Sequence, residues 1–239
     1  VRIMAWTINN GKLYFNTNLY TGDGSTSRSI TGVGFQPDWV WVKSRSATYY
    51  HGLWDAVRTN KSALYSNVAN AEDTSTGGTL GSLDSDGFTT QNVSGGFINN
   101  NGTTYVSWNW LGANGTASNT TGSIDSTVSA NTTSGFSIVS WTGNGGTASV
   151  GHGLGVKPNI VIKKNRGAST NWIFSTTIID GSNDFFYLNS TNAKGNSGET
   201  APTASLINLY ANSENNGNGN GMIAYCFAEK QGYSKFGSY

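Results

Sequence analysis

The chain is short of cysteine, histidine and charge. One cysteine, Cys226, in 239 residues excludes an intramolecular disulfide and any cysteine-based zinc site. It falls in the apolar run Met222–Ala228, where a buried, inert thiol is expected. The two histidines, His51 and His152, have no neighbouring cysteine and no second histidine at ligand spacing, so both read as polar loop residues. Charged residues make up only 11 %, and a net charge of +1 supplies no basic field for nucleic acid. No apolar run is long enough to span a bilayer, and no export signal is visible. Neither nucleic acid nor membrane is therefore an expected partner. An external protein with neither disulfides nor an export signal fits release by cell lysis.

Chemical motifs are missing as well. The glycine-rich stretches lack the Lys-Ser/Thr of a phosphate loop, and there is no Gly-x-Ser-x-Gly elbow. Asp84-Ser85-Asp86-Gly87 begins like a calcium loop, but the later ligands are absent and Asp-Gly is an ordinary turn. The acidic residues number 13, and none sits in an aromatic strand-end context shared by both copies that would pair carboxylates for glycoside cleavage. No catalytic residue, metal site or cofactor is expected. No helical period longer than about two turns is visible either.

What the chain has is glycine (32 residues), many Ser, Thr and Asn, and a 12 % aromatic share with eight Trp. This composition describes short strands joined by many turns. It also has a repeat. Residues 20–45, YTGDGSTSRSITGVGFQPDWVWVKSR, recur as residues 141–166, WTGNGGTASVGHGLGVKPNIVIKKNR, without a gap. Pro37 pairs with Pro158 and Arg45 with Arg166, each 121 residues on, and ten of the 26 positions are identical. One register held across turn glycines, a proline and an apolar strand marks a tandem duplication.

The expected fold is all-β: two tandem homologous, jelly-roll-like β-sandwich units. The first spans 1–113 and the second 114–239, including a Gly/Ser/Thr/Asn linker at 112–123. Trp39–Lys43 and Ile160–Lys164 are too bulky throughout for one wet face and should be central strands covered on both sides. Thr21–Gly24 should be a tight turn with a left-handed glycine. Tyr105–Trp110 and Met222–Phe227 should close the two units. Their offset is 117, which places a net four-residue deletion within the second copy. Asn212–Gly221 reads as a hairpin loop. Residues 1–18 should carry two N-terminal strands, one of them Ile3, Met4, Ala5, Trp6, Thr7 and Ile8. That strand has no charge or proline to blunt its edge, so it is a candidate for pairing with a neighbouring chain. The aromatics expected at an exposed loop surface are Tyr49, Tyr50 and Trp54, with Trp172 comparable in the second copy; these could stack on a glycan or a partner.

The linked motifs YTGDGS, GVGFQPDWVWVKSR, SDGF, VSANTTSGFSIVSWTGNG, VGHGLGVKPNIVIKKNR and AYCFAEKQGYSKFGSY resemble a repeat family of bacteriophage virion proteins. These repeats occur in tail-fibre-like and other particle-surface proteins, including those of marine and cyanobacterial phages. In longer relatives KFGSY runs into another copy, whereas here the chain stops at Tyr239; the first copy also closes in WNWLGA rather than YCFAE. The resemblance implies a non-enzymatic structural or attachment role on the virion surface, in a tail fibre, a tail-associated component or a capsid decoration protein. It implies other virion proteins and further copies of the chain as partners, with a trimer if it is a fibre. A carbohydrate-binding adhesion module that contacts host surface polysaccharide is the alternative reading, and a polysaccharide depolymerase a third.

Overall fold

The computed structural model describes residues 7–58, 62–75, 80–91 and 97–238, and they are nearly all-β. The first half contributes β1 (Phe15–Thr21), β2 (Ser27–Thr31), β3 (Trp39–Ser44), β4 (Gly52–Asp55), β5 (Leu64–Tyr65), β6 (Leu80–Asp84), β7 (Gly87–Gln91) and β8 (Thr104–Trp110). The second contributes β9 (Ala117–Asn119), β10 (Ser126–Asn131), β11 (Phe136–Thr142), β12 (Ala148–Gly151), β13 (Ile160–Asn165), β14 (Ile173–Thr176), β15 (Asp184–Tyr187), β16 (Gly195–Asn196), β17 (Leu206–Leu209) and β18 (Gly221–Phe227). A single helical turn, α1 (Ser213–Asn216), precedes β18.

The strands form several antiparallel sheets. The large sheet of the first half runs β1-β8-β3-β4-β5, and that of the second contains β11-β18-β13-β14-β15 in the corresponding order. The second sheet is extended by β10 and β9 at one edge and β16 at the other. Each large sheet is accompanied by a small one, β2-β7-β6 in the first half and β12-β17 in the second. β3 lies between β8 and β4, and β13 between β18 and β14, so both expected central strands are central.

Half of the residues that stay constant in the repeat are those that the backbone requires. Gly24 and Gly145 have φ of 74° and 75°, and the pairs Gly32/Gly153 and Gly34/Gly155 are also left-handed. Gly22 and Gly143 serve a different need. A Cβ on Gly22 would lie 2.2 Å from the Asn100 carbonyl oxygen, and one on Gly143 would lie 2.3 Å from that of Gly217. Asp86, from the calcium-like turn, accepts the Gly32 and Gly34 amides at 3.0 and 2.6 Å and so clasps the corner before β3.

Alternation along each strand divides its side chains between two cores. In the first half Val40, Val42, Trp54 and Tyr105 face the small sheet, where they meet Ile30, Leu80 and Phe88. In the second, Val139, Val161, Met222 and Cys226 meet Val150, Ile207 and Leu209. The opposite faces of the two large sheets share a third core containing Trp39, Leu53 and Leu64 from the first half and Phe136, Ile138, Ile162, Trp172 and Tyr225 from the second. Trp39 stacks on Tyr225 with ring centroids 4.2 Å apart and also meets Trp110 and Phe136.

Several expectations need correction. Residues 112–123 do not behave as a free linker: Ala117–Asn119 adds an edge strand to the large sheet, pairing Val128 with Ala117. Backbone hydrogen bonding can recruit a segment that has little apolar surface to bury. The second N-terminal strand is replaced by a 3-10 turn over Gly11–Leu13, because the Asn10 side chain accepts the Lys12 amide and caps it. Asn212–Gly221 contains α1, capped by the Asn212 side chain, rather than a plain hairpin loop. Of the proposed assembly strand, Ile3, Met4, Ala5 and Trp6 lie outside the described residues. Thr7 and Ile8 are not in a strand, and Ile8 is buried with its amide donating to the Gln231 carbonyl at 3.3 Å.

Polar groups also cross between the halves. Tyr225 donates to Asp55 Oδ2 at 2.7 Å, and the same oxygen accepts Arg58 Nε at 2.7 Å. Glu72 accepts Arg58 Nη1 at 2.6 Å and Arg166 Nη2 at 2.7 Å. Burial alone would lower the Arg58 guanidinium, but Asp55, Tyr225 and Glu72 outweigh it and raise its pKa above the ordinary value. Removing one partner of a buried ion pair strands the other. Glu72→Ala is therefore expected to destabilise by about 3 kcal/mol. Tyr225→Phe, which takes one hydrogen bond from a charged acceptor, should destabilise by about 1.5–3 kcal/mol. Urea denaturation of the three proteins measures both; an unchanged midpoint for Glu72→Ala would show that the network does not hold the halves together.

Candidate functional site: an aromatic cleft at the end of β3

The four aromatics expected at the surface divide into two pairs. Tyr49 and Tyr50 are 37 % and 45 % exposed, while Trp54 and Trp172 are completely buried. Trp54 lies in β4 and points into the core beneath the small sheet, near Phe97. Trp172 precedes β14, fills the core between the large sheets, and donates from Nε1 to the Tyr65 carbonyl at 2.8 Å. Neither can stack on a ligand in this fold. The segments around them lack a clear two-residue period, and that hid the direction in which their side chains point.

Tyr49 and Tyr50 line a cleft of about 600 Å³, together with Lys43, His51, Asn67 and Phe97. β3 places Lys43 at its end, next to the Ala47–His51 loop, and its Nζ donates to the Ser44 carbonyl at 2.9 Å. The loop is fixed at both ends. Ser44 Oγ accepts the Ala47 amide at 3.0 Å, and Asn67 Oδ1 accepts the His51 amide at 2.9 Å. Tyr50 stacks on Tyr65 at 4.6 Å, and Tyr65 meets Phe97 edge-on at 5.5 Å. Tyr65 donates to Asp73 at 2.6 Å; burial and that bond raise its phenol above the ordinary range, so it stays a donor. Partial burial and the nearby Lys43 charge push the His51 imidazole below its ordinary value. It is therefore neutral at physiological pH, and Lys43 is the cation of the cleft.

Lys43 and Asn67 were not singled out from the sequence. Lys43 is constant in the repeat, with Lys164 as its partner, but Lys164 is buried and binds the Ala168 and Thr170 carbonyls. Only the folded loop shows that Lys43 is open to a cleft. An exposed aromatic face, one ammonium and one amide suit stacking on a ring while hydrogen-bonding its substituents.

His152 has no part in this cleft. It is completely buried; Nδ1 accepts the Leu154 amide at 3.2 Å and Nε2 faces the Thr203 carbonyl at 3.3 Å, so the proton sits on Nε2. Among the described residues, no group of three or more His, Cys, Asp or Glu side chains is placed to hold a metal ion. Nor is any helix there long and apolar enough to cross a membrane.

Two measurements follow from these placements. Trp54→Ala or Trp172→Ala is expected to cost about 3–5 kcal/mol, whereas Tyr49→Ala should shift stability by no more than about 0.5 kcal/mol. Chemical denaturation that ranked Tyr49 with the two tryptophans would overturn the division between core and surface. The second concerns pH. Burial lowers the His152 pKa below 6.5, so the unfolded chain takes up this proton first. The stabilisation is complete above 6.5 and is lost as pH falls from there through the folded-state value, at about 1.4 kcal/mol per pH interval of one. Melting curves between pH 7.5 and 5 should show a steeper decline for the wild type than for His152→Gln. Equal slopes would mean that His152 is not the group responsible.

Residues 10–239 match the family model described as a domain of unknown function (DUF7483), and the chain belongs to that family. No curated protein and no solved structure matches it.

Proposed function

We propose that this chain is a non-enzymatic structural and attachment module on the surface of a bacteriophage particle. In finer detail, it is built as two homologous β-sandwiches packed back to back through their large sheets. The observation that carries the attachment reading is the open Lys43–Tyr49–Tyr50–Asn67 cleft on a loop pinned at both ends. A stiff, duplicated frame with variable loops at its strand ends is suited to presenting contacts. The phage assignment is supported by the resemblance of the repeat motifs to virion surface proteins.

The non-enzymatic reading is supported by how the carboxylates are engaged. Asp38 accepts the Gly112 and Asn114 amides, Asp86 those of Gly32 and Gly34, and Glu229 that of Phe236. Asp55, Glu72 and Glu199 hold Arg58, Arg166 and Lys163. Each has a structural partner where a catalytic carboxylate needs access to substrate.

The same cleft favours a carbohydrate-binding adhesion role as a second reading, with Tyr49 and Tyr50 against a sugar face and Lys43 on an acidic substituent. On the particle the chain is read as assembling with further copies of itself, three in a fibre, and with other virion proteins.

Immunogold labelling of purified phage particles with antibody to this chain is expected to decorate the particle surface. Particles that carry none of the chain would sink the virion reading. Host polysaccharide should bind the purified protein without release of reducing ends, and Tyr49→Ala together with Tyr50→Ala should weaken that binding at least tenfold. Reducing-sugar release would favour the depolymerase.

A further inference from the structure

The second half carries a cleft of its own, about 230 Å³, between β15 and the segment from Tyr210 to Asn215. Three aromatic rings border it. Phe185 and Tyr187 alternate on β15 and so share a face, 5.4 Å apart and edge to face, while Phe186 points the other way to Phe174. Tyr210 stands opposite and is 47 % exposed. Gly198 lets the backbone approach that ring: a Cβ there would lie 3.1 Å from Tyr210 Cε2. Gly198 thus lies against one side of the Tyr210 ring.

The polar side of the cleft is set by Glu214, Asn212 and Asn215. Glu214 is anchored from two elements: Asn171 donates to Oε1 at 3.0 Å and Tyr187 to Oε2 at 3.3 Å. Oε1 also accepts the Asn171 backbone amide at 3.4 Å, and Oε2 keeps a further lone pair. Asn212 Oδ1 accepts from Asn215 Nδ2 at 3.1 Å, while Asn215 Oδ1 is buried and has no hydrogen-bond partner among the described residues.

The two copies differ at this place. Asn99 and Asn216 are equivalent, 117 residues apart, since their carbonyls accept the Gly24 and Gly145 amides at 2.9 and 2.8 Å. Glu214 and Asn215 therefore occupy the positions of Phe97 and Ile98, which are core residues in the first half. The second copy has an anion and an amide where the same frame elsewhere carries apolar side chains. Buried polar groups cost stability unless they are hydrogen-bonded, and here Asn171 and Tyr187 hold Glu214 at the rim of the cleft.

We propose that this cleft binds an uncharged pyranoside. The sugar's apolar face would lie on Tyr210 and a hydroxyl would donate to Glu214 Oε2. The Glu214 carboxylate disfavours uronic and other acidic sugars at the same place, in contrast to the Lys43 cleft. The proposal is independent of the reading of that first cleft and of the virion location.

Amide chemical-shift mapping on the full chain tests it, with chitotriose as the uncharged probe and trigalacturonate as the acidic one. Chitotriose should shift the amides of Gly198, Tyr210 and Asn215, and trigalacturonate should not. Tyr210→Ala and Glu214→Gln should each weaken chitotriose binding at least tenfold at unchanged melting temperature. If Tyr210→Ala perturbs folding, the conservative Glu214→Gln variant decides. Absence of chitotriose shifts at these residues at 10 mM, shifts confined to 43–51 and 67, or equal binding of both probes would overturn the proposal. Loss of the first-cleft reading would appear separately, as no response at Tyr49 and His51 to either sugar.

Discussion

The fold depends on the apolar layer between the two large sheets. Trp39, only 1 % exposed, is its centre, in contact with Tyr225, Trp110 and Phe136. Such aromatic pairs add about 0.5–1.5 kcal/mol each beyond the area they bury. β3 supplies Trp39 to this layer and Val40 and Val42 to the core on the other side. A strand of this kind cannot satisfy only one sheet face, so the first half needs the second against it. The Asp55–Arg58–Glu72–Arg166 chain runs along the same junction. Arg58 is paired with Asp55 and Glu72 within the first half, and Arg166 reaches Glu72 only when the two halves lie in this arrangement, which adds specificity of orientation to the non-directional apolar burial.

The repeat and the core obey different rules. Half of the ten positions constant between the copies are glycines with left-handed φ, glycines against a carbonyl, and the prolines that precede β3 and β13. These are conditions on the backbone, and few residue types meet them. Most core positions drift, as Trp39 does to Ile160 and Trp41 to Ile162, because a core accepts any set of apolar groups that fills its volume. Corresponding strand order in the two large sheets is the structural consequence of the constant positions.

For the same reason the frame could be read from the sequence and much of its surroundings could not. The duplication, the central strands β3 and β13, the closing strands β8 and β18 and the left-handed Gly24 were all legible, since each leaves a local mark in residue type. What covers the second face of β3 was not, because strand apolarity reports burial but not the identity of the neighbour. Trp54 and Trp172 were misplaced for want of a period around them. β9 was overlooked because its pairing is a backbone matter, and its residues are mostly exposed. Tyr49 and Tyr50 were legible as surface aromatics, but Lys43 and Asn67 became part of their cleft only once β3 and the loop after β5 were brought together. Glu214 and Asn215 leave no motif at all. They are visible only by comparison with Phe97 and Ile98 in the other copy.

That comparison shows where duplicated halves are free to diverge. His51 and Trp172 occupy the same position of the repeat, 121 residues apart, yet one lines a cleft and the other fills the shared core. The shared core touches the two copies unequally, because a single Trp172 donates to Tyr65 across the junction and no second tryptophan does so in return among the described bonds. Once Trp172 fills that space, the loop of the first copy is released from core packing, and Tyr49, Tyr50 and His51 are left at the surface. The second copy has the converse arrangement. Its loop is drawn inward by Lys164 and Trp172, and the polar positions open to solvent move to β15 and the Tyr210–Asn215 segment. Asymmetric packing of two similar halves thus opens Lys43 to a cleft and buries its counterpart Lys164, while the strand order that supports both stays the same.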